Sequence, residues 1–140
     1  MDIDFKWTIS LGRVYIALGA LSAAKSVALG AAAQHGLKPY LAANDIGGWF
    51  GVALQYHQLH SVALILCGIA LLVVGENRLL KWSGVAFLVG LLMFSGNLYL
   101  RSLFDIHLFH AVTPVGGMSF MTGWVLLAVG VLRSNLKEKS

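Results

Sequence analysis

The residues best equipped for chemistry are five histidines, His35, His57, His60, His107 and His110. His57 and His60 are three apart, as are His107 and His110, so on helices each pair would share a face. Imidazole is the commonest metal-binding side chain. Three or four of them with a carboxylate suit zinc or copper, and two on opposed helices suit a haem iron. His57, His60, His107 and His110, with Asp105, are therefore candidate ligands for a transition metal, and the four histidines alone for haem or a quinone. The opposing reading has no cofactor: histidines near a membrane interface also bond helix to helix or to water, and this spacing matches no named metal motif. No nucleophile and base pair or recognised catalytic motif accompanies them, so an enzyme is the least favoured class.

Lys25 is the second reactive feature, because it interrupts an apolar run. A charge at mid-helix costs roughly 2.5–3.5 kcal/mol on membrane-insertion scales, partly relieved when the stem reaches toward the interface. Ser22 and Ser26 fall on its helical face, which turns that stripe toward the bundle. Asp105, Asp45 or the carbonyls of a broken helix are the candidate charge partners. A bound anion, proton handling or a contact with another subunit would each use the ammonium; a lysine reaching outward would use none of them.

The elements that must hold these groups follow from composition. The chain has 140 residues, 58% hydrophobic and 11% charged, with a mean hydropathy of +0.77. A soluble domain of this size cannot carry that surface, so the bilayer is part of its solvent. Four apolar stretches, roughly 9–34, 49–74, 82–101 and 111–132, are each about long enough to cross a hydrocarbon layer roughly 30 Å thick. The expectation is an all-α, polytopic four-helix bundle forming one domain over 1–140. Asn44 or Asp45 is expected to cap the second stretch, Gly75-Glu76-Asn77-Arg78 to make a tight hairpin, and Thr113-Pro114 to kink or begin the fourth. Arg13, the apolar run and Ala31-Ala32-Ala33 imitate a secretory signal. The run is too long and is interrupted by Lys25, so it reads as a retained helix.

Lys6, Arg13, Arg78, Lys81, Arg133, Lys137 and Lys139 fall on one side of these stretches, against Lys38 and Arg101 on the other. With Lys25 set aside, the positive-inside bias places both termini in the cytoplasm and all five histidines on the outer half. Membrane orientation thus accounts for the net charge of +4, and no nucleic-acid signal remains. Cys67, the one cysteine, sits in an apolar run as a small packing residue. Small-residue pairs at Gly19 and Ala23, Gly47 and Gly51, and Ser119 and Gly123 favour close helix approach.

Gly30 with Gln34-His35-Gly36-Leu37, Gln55-Tyr56 with His60, Phe94-Ser95-Gly96 with Leu98-Tyr99, and Thr113-Pro114-Val115-Gly116-Gly117 with Phe120 and Gly123-Trp124 follow in order along the four stretches. Together they resemble the YgdD-like small inner-membrane proteins, also classed as domain of unknown function 423, whose animal relatives are called transmembrane protein 256. The resemblance implies a four-helix membrane protein with a structural motif at His35, Gly36, Gln55, Tyr56, Ser95, Gly96, Thr113, Pro114, Gly116 and Gly117, and it implies no biochemical activity. Lys25, His57, His107 and His110 stand where that family usually has apolar or small residues, and Asn97 where it has a small hydroxyl. The leading expectation is a non-enzymatic accessory, assembly or stabilising component of the plasma (inner) membrane, packing against lipid and other membrane subunits or copies of itself. The alternative is a metal-, haem- or quinone-binding protein with its site on the outer half.

Overall fold

The computed structural model describes residues 10–45, 47–108 and 111–134. Lys6, Trp7, His110, Lys137 and Lys139 lie outside the described residues. All the regular structure among the described residues is helical: α1 (Leu11–Gln34), the short α2 (Lys38–Asn44), α3 (Trp49–Val74), α4 (Arg78–Gly90), a π-helical segment (Leu91–Gly96), α5 (Asn97–Phe104) and α6 (Val112–Leu132). The run from α4 through α5 is one continuous rod. Four helical stretches, Leu11–Gln34, Trp49–Val74, Arg78–Phe104 and Val112–Leu132, are long and apolar enough to cross a membrane. The third starts ahead of position 82, where apolarity alone begins it, because Asn77 Oδ1 accepts from the Leu79 and Leu80 amides and caps the helix there.

Local chemistry explains the other ends. Asp45 takes the amides of Trp49 and Phe50 on its two carboxylate oxygens, each at 2.9 Å, and so caps α3 through a turn in which Gly48 has φ +65°. Asn44 instead bonds the Tyr40 carbonyl of its own helix. Asp105 adopts the left-handed conformation at φ 53° and ends α5 by returning its amide to the Leu100 carbonyl. Pro114 falls in the first turn of α6, where a missing amide costs no hydrogen bond, so the helix begins here rather than kinking.

Two backbone approaches hold the bundle. Along the α1–α3 crossing, a Cβ at Gly68 would lie 2.6 Å from the Gly12 carbonyl oxygen, and one at Gly19 would lie 2.8 Å from that of Ser61. Between α6 and the third rod, Ser83 Oγ donates to the Gly123 carbonyl and Ser119 Oγ to that of Ala86, both at 2.8 Å. Gly19, Ser119 and Gly123 therefore serve close approach. Gly47 and Gly51 do not, because Gly47 lies in the turn before α3 and Gly51 faces open space. The buried core joins Tyr15, Leu64, Cys67, Leu80, Phe87 and Phe120, with the Cys67 thiol donating to the Leu80 carbonyl at 3.1 Å.

Candidate functional site

Helix α3 carries the polar centre of the bundle. His57 and His60 are 5% and 2% exposed, and three residues of separation direct them to different neighbours. Ser22 Oγ of α1 lies 2.9 Å from His57 Nε2, and the Tyr99 hydroxyl of α5 lies 3.1 Å from Nδ1. Ser61 Oγ, which also reaches its own helix's His57 carbonyl, is 2.7 Å from Ser22 Oγ. A chain of hydrogen-bonding groups thus runs Ser61–Ser22–His57–Tyr99 and ties three spans together at mid-depth. Lipid offers no such partners, so these groups satisfy one another inside the bundle.

His60 turns toward α6. Its Nδ1 lies 2.8 Å from the Tyr56 carbonyl, a pure acceptor, and its Nε2 receives the indole N–H of Trp124 at 3.2 Å. A carbonyl on one side and a donor-only indole on the other fix the neutral tautomer with hydrogen on Nδ1. The ring stacks on Phe120 with centroids 3.4 Å apart, and Phe87 and Tyr56 complete an aromatic cluster around it. Both nitrogens of both buried histidines are thereby in use.

The remaining candidates lie elsewhere. His107, in the loop after α5, has its Nε2 2.8 Å from Asp105 Oδ1 on an exposed surface. His35 is exposed at the C-cap of α1. The structure does not bring His107 to His57 or His60, and no three His, Cys, Asp or Glu side chains among the described residues are grouped to hold a metal ion. Lys25 is exposed on α1; the ion pairs among the described residues are Lys81 with Glu76 and His107 with Asp105. Ser26, on its helical stripe, is buried and donates to the Ala23 carbonyl of its own helix.

The motif residues pack α6 onto the π segment. A Cβ on Gly116 would lie 2.5 Å from the Phe94 amide nitrogen, whereas one on Gly117 would rest 3.6 Å from the Phe94 ring. Thr113 Oγ1 accepts from Asn97 Nδ2 at 2.7 Å. Tyr56 lies against Phe94, with centroids 4.5 Å apart, while Gln55 is exposed on α3 and Gly36 sits in the turn after α1. Ser95 is buried without a hydrogen-bond partner, and Gly96 ends the π segment. Spacing alone did not disclose the π segment or the parts played by Tyr99, Trp124 and the two serines; Tyr99 and Trp124 stand in the motifs and Ser22 on the Lys25 face, each without an assigned contact.

Apolar spans joined by hydrogen bonds between buried polar side chains define a small multi-pass membrane protein. The chain belongs to the family described as "Protein of unknown function (DUF423)", which matches residues 29–117. It is 36% identical over 130 residues to the UPF0382 inner membrane protein YgdD of Escherichia coli, covering 91% of this chain and 94% of that one. It is 37% identical to a UPF0382 membrane protein of Haemophilus influenzae (86% and 94% covered) and 36% identical to one of Staphylococcus saprophyticus (86% and 98% covered). No solved structure matches the chain.

Proposed function

We propose that this protein is a non-enzymatic accessory or assembly component of a bacterial inner membrane, with both termini cytoplasmic, that works by packing against other membrane-protein subunits or copies of itself. The exposed wall of α1 carries this reading. Ala17, Ala20, Ala24, Ala28 and Ala31 are all exposed, and at 100° per residue they fall on one helix face, turned away from the glycines that meet α3. Close van der Waals approach drives helix association in lipid, where no hydrophobic force separates helix from acyl chain, and small side chains permit it. The relatives named as inner-membrane proteins support the location.

The test is cross-linking in native membranes followed by mild-detergent chromatography. The wild-type chain is expected in a defined assembly, and Ala24→Trp to release it as a single copy of unchanged thermal stability. A wild-type chain that always runs alone overturns the reading.

Metal, haem or quinone binding through His57, His60, His107, His110 and Asp105 is a second reading, supported by the burial of two imidazoles at mid-depth. Ligation at His57 would displace Ser22 or Tyr99, and at His60 would displace Trp124 or the Tyr56 carbonyl. Elemental analysis and visible absorbance of one pure sample decide its metal and haem forms: stoichiometric metal or a Soret band supports them, and neither removes them.

A further inference from the structure

Helix α1 follows α3 closely but meets the third rod only near one end, where the Tyr15 hydroxyl donates to the Lys81 carbonyl at 2.8 Å and the Tyr15 ring fills the space a side chain at Gly84 would need. Beyond that contact the two rods separate. They leave a groove of about 360 Å³ whose polar wall comprises Ser22, Lys25, His57, Ser95 and Tyr99. Its apolar wall comprises Leu18, Leu21, Leu88, Leu91 and Leu92.

Polarity changes along the groove in one direction. Lys25 is nine residues from Gln34, Ser95 nine from Phe104 and His57 eight from Trp49, so at 1.5 Å per residue all three lie about 12–14 Å in from the same end of the bundle. The leucines lie deeper, toward the Tyr15 closure about 15 Å beyond Lys25. The groove thus offers a polar site nearer one face and an apolar channel that runs from it past the bilayer centre, which suits an amphiphile.

The head must accept hydrogen bonds and carry negative charge. Lys25 offers three donors and no acceptor, and takes part in no ion pair among the described residues: Asp45 is committed to the α3 amides, Glu76 to Lys81 and Asp105 to His107. Ser95, 1% exposed, has a hydroxyl with no partner. Ser61 and Thr122 return their hydroxyls to the carbonyl four residues back, but Ser95 sits in the π segment and makes no such bond. A buried hydroxyl and an ammonium paired with no carboxylate among the described residues, on one groove, are complementary to the two oxygens of a carboxylate.

We infer that this groove binds a long-chain carboxylate, its head on Lys25 and Ser95 and its tail along Leu21, Leu18, Leu88 and Leu91. Leu21 borders the alanine face of α1, while Lys25, Leu18 and Ser22 turn away from it toward the groove. The experiment is titration of the full chain, in nanodiscs of phosphatidylcholine, with oleate carrying ¹³C at the carboxyl carbon. Saturable one-to-one binding is expected. Lys25→Met should weaken it at least about tenfold by removing a charge-assisted contact, Lys25→Arg should largely retain it, and Ser95→Ala should weaken it about threefold. Methyl oleate, with the same tail and no charge, should not compete. Absence of saturable binding, unchanged affinity in a folded Lys25→Met, or competition by methyl oleate or a short-tailed quinone as strong as that of oleate overturns the assignment.

Discussion

At the scale of single residues, the buried imidazoles act as connectors. His57 bonds to α1 on one nitrogen and to α5 on the other, so its loss would release Ser22 and Tyr99 together. Interhelical hydrogen bonds in membranes average about 0.6 kcal/mol each, and the void left by a ring adds to that, so His57→Ala is expected to destabilise the bundle by about 2 kcal/mol. Thermal unfolding in mild detergent measures it; a change below about 0.5 kcal/mol would show that water replaces the imidazole at no cost. His60 is held differently, by one carbonyl, one indole and a stacked phenyl ring, and its tautomer follows from those neighbours.

At the scale of elements, the packing of α6 against the π segment turns on two adjacent glycines with opposite expected behaviour. Gly116→Ala would drive a methyl group into the Phe94 backbone, which cannot move without displacing the rod. Overpacking of this kind costs about 1–3 kcal/mol, more than the roughly 1 kcal/mol that alanine gains over glycine in a helix. Gly117→Ala meets the Phe94 ring at ordinary contact distance and keeps that gain. The first variant should therefore unfold at lower temperature than the wild type and the second at the same or a higher one. Matched shifts in both would mean that α6 is not held at this register.

For the whole molecule, orientation follows from charge placed at helix ends. Seven basic residues, Lys6, Arg13, Arg78, Lys81, Arg133, Lys137 and Lys139, against Lys38 and Arg101 predict both termini in the cytoplasm. A C-terminal fluorescent-protein fusion should then fluoresce and a C-terminal alkaline phosphatase fusion stay inactive; the reverse pattern would invert the bundle and place the Lys25 groove in the other leaflet. The bundle spreads its polar groups unevenly: those at mid-depth gather around α3, while Asp105 and His107 stay at a loop end.

Four spans, the start of the second at Trp49, those of the first and fourth to within two residues, and a cap at Asn44 or Asp45 could be read from the order of residues, because apolar length and capping chemistry are local properties; the structure chose Asp45. Family membership was legible in the same way, from short motifs in order. Partnership was not. Equal spacing in His57-x-x-His60 and His107-x-x-His110 suggested two equivalent pairs, yet His57 and His60 serve different interfaces and His107 binds Asp105 at the surface. Which side chain meets which depends on the rotation of each helix about its axis and on how closely two backbones approach. Those are set by glycine contacts between segments distant in sequence, such as Gly12 with Gly68 and Gly116 with Phe94, and only the folded bundle brings them together.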